Sequence, residues 1–99
     1  MDETNALNEA RKLVEKGWCK GTSARNAAGE PTGTTDVDAV AWCPYGAMGA
    51  IPGASFIRTT DRYRKSIGRL AISKWNDEPE RTKEEVLAAF DRAIESVEP

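Results

Sequence analysis

Histidine is absent from the 99 residues. That removes the side chain that most often acts as a general base near neutral pH and as a metal ligand. Cysteine is nearly absent, with two in the chain. Two are too few for a disulfide framework, and without histidine they fall short of the four ligands that a structural zinc site takes. Large aliphatic residues are scarce: valine, isoleucine, leucine and phenylalanine together number 16. Such a share, joined to a high net charge, would read as disorder. The formal net charge, however, is only -2, and the isoelectric point near 5.2 is not that of a dedicated nucleic-acid protein. No apolar run approaches the roughly 20 residues of a membrane-spanning helix. The polar start at Met1, Asp2 and Glu3 does not read as a signal peptide. The expectation is a cytoplasmic protein that requires neither membrane, metal nor cofactor.

What the chain does contain is 14 alanines and three tryptophans. Alanines allow close backbone approach and tryptophans fill volume, so a thin core is expected to form around both. Length limits the chain to one domain, residues 1–99.

Hydrophobic periodicity places the helices. Ala6, Leu7, Ala10, Leu13 and Val14 recur at helical spacing, predicting a first helix over 5–16. Thr4 or Asn5 is its candidate cap, and Gly17 its left-handed stop. Residues 17–35, punctuated by Gly17, Gly21, Gly29, Pro31 and Gly33, read as an irregular loop or short hairpin. A second helix is expected to start at Thr35 or Asp36, carry Val37, Val40, Ala41 and Trp42, and break at Pro44, where a proline ring would crowd the preceding turn.

From Phe56 onward, Tyr63, Ile67 and Leu70 share one helical face, while Arg58, Arg62, Lys65 and Arg69 form a stripe on the other. This helix is read as running to about residue 74. Thr82 and Glu85 form a capping box that opens the last helix, with Val86, Leu87, Phe90, Ala93, Ile94 and Val97 on its apolar face. The predicted fold is therefore mainly α: a small single-domain bundle of about four helical segments, the second broken at a proline. The first, third and last would supply the core.

Three short strings remain: Gly17-Trp18-Cys19-Lys20-Gly21 with Ala24-Arg25, then Ala41-Trp42-Cys43 with Gly46-Ala47, then Trp75-Asn76-Asp77. Together with Arg81-Thr82 and the run from Glu85 to Phe90, they resemble an uncharacterised family of small bacterial and bacteriophage proteins. The resemblance implies a compact, mainly helical domain and a phage or mobile-element setting. It implies no activity. Pro44 departs from the helix that the resemblance suggests for the second string.

Chemistry is sparsely signalled. There is no phosphate-binding glycine loop and no Gly-x-Ser-x-Gly elbow, so no catalytic residue is assigned. The candidate cleft comprises Trp18, Cys19, Arg25, Trp42, Cys43, Trp75, Asn76 and Asp77: a guanidinium for an anion, an amide and a carboxylate for hydrogen bonds, two thiols. The competing reading makes the cysteines small buried hydrophobes and Asn76 and Asp77 turn-formers. The candidate basic face is Arg58, Arg62, Lys65 and Arg69. From 56 to 75 six cations face only Asp61, a local charge of +5 that leaves -7 for the rest of the chain. Such a face suits a nucleic-acid backbone, an acidic protein, or plain solvent. The expected function is a small non-catalytic accessory or binding domain acting through a protein partner or a small ligand. A nucleic-acid-associated protein is the alternative, and a thiol-dependent enzyme using Cys19 or Cys43 is third.

Overall fold

The computed structural model describes residues 1–96. In chain order it contains α1 (Glu3–Lys16), β1 (Ala24–Arg25), β2 (Ala41–Trp42), α2 (Pro44–Gly49), α3 (Phe56–Ile67), α4 (Ile72–Asn76) and α5 (Lys83–Glu95). The architecture is mainly α, as the periodicity predicts. The apolar stripes of α1 (Leu7, Ala10, Val14), α3 (Tyr63) and α5 (Val86, Ala89, Phe90, Ala93) meet in one core, which Trp42, Met48, Ile72 and Trp75 complete.

Aromatic and polar groups make up for the missing aliphatics. The Tyr63 ring lies edge-on to Phe90 at 4.8 Å and to Trp75 at 6.0 Å, a geometry that aromatic quadrupoles favour. Thr59 and Thr60 are fully buried beside Tyr63. Their hydroxyls donate to the carbonyls of Ser55 and Phe56 one turn back, so burial leaves no donor unsatisfied.

α1 starts two residues earlier than predicted, because Asp2 rather than Thr4 or Asn5 caps it: its carboxylate accepts from the Asn5 N–H at 2.8 Å. Gly17 is extended (φ -168°, ψ 131°), not left-handed. Glycine is needed there for closeness instead. A Cβ would sit 2.1 Å from the Val40 carbonyl oxygen, where the two backbones meet as the Trp42 N–H donates to the Gly17 carbonyl.

The second predicted helix does not form. Residues 34–39 are turns, Val37 is exposed, and Ala41–Trp42 is strand. Ala24 pairs with Trp42 and Arg25 with Ala41 in antiparallel register. On the other side of β2, Trp18 bridges Trp42 in parallel. The loop of 17–35 thus contains a short hairpin, closed by an Asn26–Glu30 turn and an Arg25–Pro31 bridge.

Pro44 begins α2 rather than breaking a helix. At the first helical position its missing N–H has no intrahelical partner to lose, and it holds the preceding Cys43 extended. Likewise the 56–74 helix divides. Gly68, at φ 68°, ends α3, Arg69 and Leu70 fall outside it, and α4 follows as a separate helix. Leu70, expected in the core, is 85% exposed. The capping box of α5 is present in both directions: Thr82 Oγ1 accepts from the Glu85 N–H at 3.2 Å, and Glu85 Oε1 accepts from the Thr82 N–H at 2.9 Å. Val97, predicted on the apolar face of α5, lies outside the described residues.

Candidate functional site

Asn76, the last residue of α4, is the hub of the first candidate site. An indole N–H can only donate and a peptide carbonyl can only accept, so the orientation of its amide follows from its partners. Oδ1 accepts from Trp18 Nε1 at 2.7 Å, and Nδ2 donates to the Cys19 carbonyl at 3.1 Å and to Asp77 Oδ1 at 3.2 Å. Asp77 Oδ1 also accepts from the Gly21 N–H at 2.9 Å. Trp18, Cys19, Asn76 and Asp77, read from two distant strings, therefore stand together. α4 presents Asn76 toward the chain leaving α1, while Trp42 holds that chain from behind by accepting from the Cys19 N–H at 3.2 Å.

Arg25, Trp42 and Trp75 do not join a cleft. Arg25 fastens the hairpin, donating to the carbonyls of Lys20 and Gly29 at 2.8 Å each. Trp42 is 7% exposed and its indole donates to the Thr34 carbonyl at 3.0 Å. Trp75 packs in the core, with the Arg81 guanidinium 4.0 Å from its ring centre and Arg81 Nε donating to its carbonyl. Two more cations were missed by the sequence reading. Lys20 lies over Trp18 at 5.3 Å and donates to the Glu78 carbonyl, and Arg81, quoted in the closing string, had been given no role. The pattern that could have pointed to them is a cation within a few residues of Trp18 and of Trp75, since indole faces attract cations.

Both thiols are free and buried. Burial, then the nearby Cys43, pushes the Cys19 thiol up to about 11, with Asp77 adding and Arg25 opposing. Burial also raises Cys43, against the N–H groups of Gly46 and Tyr45, which favour its thiolate. The chain segments of the two cysteines run side by side, joined where the Cys19 N–H donates to the Trp42 carbonyl, and both thiols are protonated at neutral pH. At pH 8 only about one Cys19 thiol in a thousand would be ionised, against about one in four for an ordinary thiol of pKa about 8.5. A disulfide reagent such as DTNB should therefore modify the folded chain at least about tenfold more slowly than the urea-unfolded chain. Equal rates would refute this burial.

What remains open beside the hub is a polar niche of about 120 Å³, lined by Gly21, Thr22, Ser23, Cys43, Ser73 and Asp77. Among the described residues, no three acidic or cysteine side chains gather where they could hold a metal ion.

The basic face divides in the same way. Arg62 is engaged inside the fold. It donates to Thr4 Oγ1 at 3.0 Å and to the carbonyls of Ala93 and Ser96 at 2.6 and 2.8 Å, satisfying the C-terminal acceptors of α5 that the helix leaves open. Arg69, beyond the end of α3, pairs with Glu78 at 3.1 Å, and Lys65 pairs with Asp61 at 3.6 Å. Arg58 lies exposed near the start of α3. Arg64, one of the six cations of 56–75 but not of the stripe, folds back on the Leu70 carbonyl at 2.8 Å. The sequence reading overlooked Ile57, 78% exposed on the outer side of α3. Asp61, Arg64, Lys65, Gly68, Arg69 and Leu70 line an open groove of about 360 Å³.

Among known families, the model of a family of unknown function (DUF6197) matches residues 2–96. No curated protein and no solved structure matches the chain.

Proposed function

The chain belongs to that family of unknown function, and from its geometry we infer a small non-catalytic binding domain that acts through a protein partner. The observation that carries this reading is Leu70. It is 85% exposed in an open groove, while the polar groups of the tryptophan strings are hydrogen-bonded to one another and to backbone. A small-ligand site is usually a concavity of about 300–1,000 Å³ that encloses most of its ligand. The niche beside Asn76 is smaller than that, at about 120 Å³, and the larger grooves are open. These sizes favour a partner surface over a small ligand. Two reduced, buried cysteines favour a cytoplasmic setting, and the resemblance favours a bacterial or bacteriophage one.

The nucleic-acid alternative draws less support. Arg62 caps α5 and Arg69 is beyond the helix, so the even stripe of four cations becomes Arg58 and Lys65 with an apolar side chain at its end. A thiol enzyme draws less still, with both thiols held protonated. Two screens of the full chain test the reading. Selection from a displayed peptide library should enrich sequences that map to one surface by amide NMR shifts, and a thermal-shift screen of common metabolites should leave Tm unchanged. A metabolite that raises Tm by several degrees, with no peptide enriched, would overturn it.

A further inference from the structure

The outer face of α3 brings together exposed apolar side chains and several cations. At about 100° per residue, Ile57, Asp61, Lys65 and Gly68 point the same way, with Arg58 beside them, opposite the buried Thr59 and Tyr63. Leu70 follows the glycine that ends the helix. Ile57 and Leu70 therefore mark the two ends of one exposed ridge. At about 1.5 Å per residue, the 11 steps from Ile57 to Gly68 span about 16 Å. Arg58 and Lys65 lie along that span and Arg69 just beyond its end, beside Leu70, with Asp61 and Glu78 opposing them.

We propose that this ridge docks an acidic amphipathic segment of another protein, with apolar side chains over Ile57 and Leu70 and carboxylates facing Arg58, Lys65 and Arg69. The proposal rests on the protein-binding reading above and specifies the partner for it. Charge selects the occupant. Around this ridge the cations Arg58, Arg64, Lys65 and Arg69 outnumber Asp61 and Glu78, in a chain whose net charge is -2, so an acidic segment is attracted more here than elsewhere, and a basic one is not. Apolar contact selects between acidic macromolecules. A nucleic-acid strand presents phosphates and bases, and this ridge offers leucine and isoleucine at its ends with no exposed aromatic ring on which a base stacks. A helical partner would reach both anchors with apolar residues about three turns apart.

The test selects displayed random peptides of about 16 residues, long enough as a helix to span the ridge, against the full chain. It then measures the enriched peptides on two variants, Leu70→Ser and a Lys65→Glu, Arg69→Glu double variant. Both alter exposed side chains, and a melt confirms that each folds. The proposal expects peptides of net negative charge that shift the amides of α3 and of residues 68–70. It expects about tenfold weaker binding to Leu70→Ser, the loss of one anchor, and binding to the double variant that is weaker still and no longer weakened by added salt. Acidic peptides that bind both variants unchanged, or enriched peptides that are not acidic, overturn the docking ridge and leave the protein-binding reading standing. A duplex DNA or phosphatidylserine vesicles bound through Lys65 and Arg69, with no peptide enriched, overturn both.

Discussion

Replacing Asn76 with alanine should lower stability by about 3 kcal/mol, because it strands two polar groups at once: the Trp18 indole N–H and the Cys19 carbonyl. A buried group left without a partner costs about 1–3 kcal/mol. The Cys19 carbonyl meets that description, and the partly buried Trp18 indole adds toward the lower end of the range. For a chain of this length the melting temperature should fall by roughly 12–24 °C, at about 4–8 °C per kcal/mol. Asn76→Asp is the more telling variant, since it keeps an acceptor for Trp18 and turns the Nδ2 position into an oxygen facing the Cys19 carbonyl and Asp77. The introduced carboxyl would be buried beside a carboxylate, so its pKa is raised in the folded chain. The unfolded chain ionises it first, and stability is then lost as pH rises above the ordinary aspartate range. Melts should place this variant closest to wild type near pH 4.5 and furthest from it near pH 7.5. An offset that does not change with pH would sink the account of Asn76 as a donor to Cys19.

Trp42→Ala should cost about 3–5 kcal/mol, the range for truncating a buried aromatic residue. The ring is 7% exposed within the core cluster, and its loss leaves a cavity between the hairpin and the helices. Trp42→Phe separates volume from hydrogen bonding. It keeps most of the packing but leaves the Thr34 carbonyl without its indole donor, and should cost about 1 kcal/mol beyond the lost area. A melting shift of only a degree or two for the alanine variant would contradict the burial of this ring.

The helix boundaries that were legible are those written in neighbouring residues. Thr82 and Glu85 satisfy one another three positions apart, and the periodic apolar positions of α1 and α5 lie within single turns. The same local logic failed at Pro44 and Gly68. Proline was read as interrupting a helix because Val37, Val40, Ala41 and Trp42 suit a helical face. Yet the backbone of Trp42 bonds to Gly17 and Cys19 on one side and pairs with Ala24 on the other, and partners so remote leave no periodic mark. Gly68 falls inside the helix that the periodicity predicts from Phe56 to about residue 74, and it is the stop. Moving that boundary exposes Leu70 and carries Arg69 off the stripe.

The candidate cleft was legible in part. The residue types that meet around Asn76 were all singled out, because a tryptophan donor, an amide and a carboxylate are conspicuous in a chain with so few such groups. Their roles were not, since an indole near an amide in space is indistinguishable in sequence from two unrelated loops. Arg62 shows the point most plainly: from its position it belongs to an exposed basic face, and only the arrival of the C-terminal end of α5 makes it a cap.

The chain's shortages and its local chemistry were sufficient to determine a mainly helical fold with α1, α3 and α5 around a thin core. Helix periodicity and capping act over three or four residues, so they are complete within the sequence. Tertiary structure alone decided which charges are engaged and which apolar residues stay outside. Those outcomes depend on contacts between residues as far apart as Trp18 and Asn76 or Arg62 and Ser96, whose approach is a property of the whole packed chain.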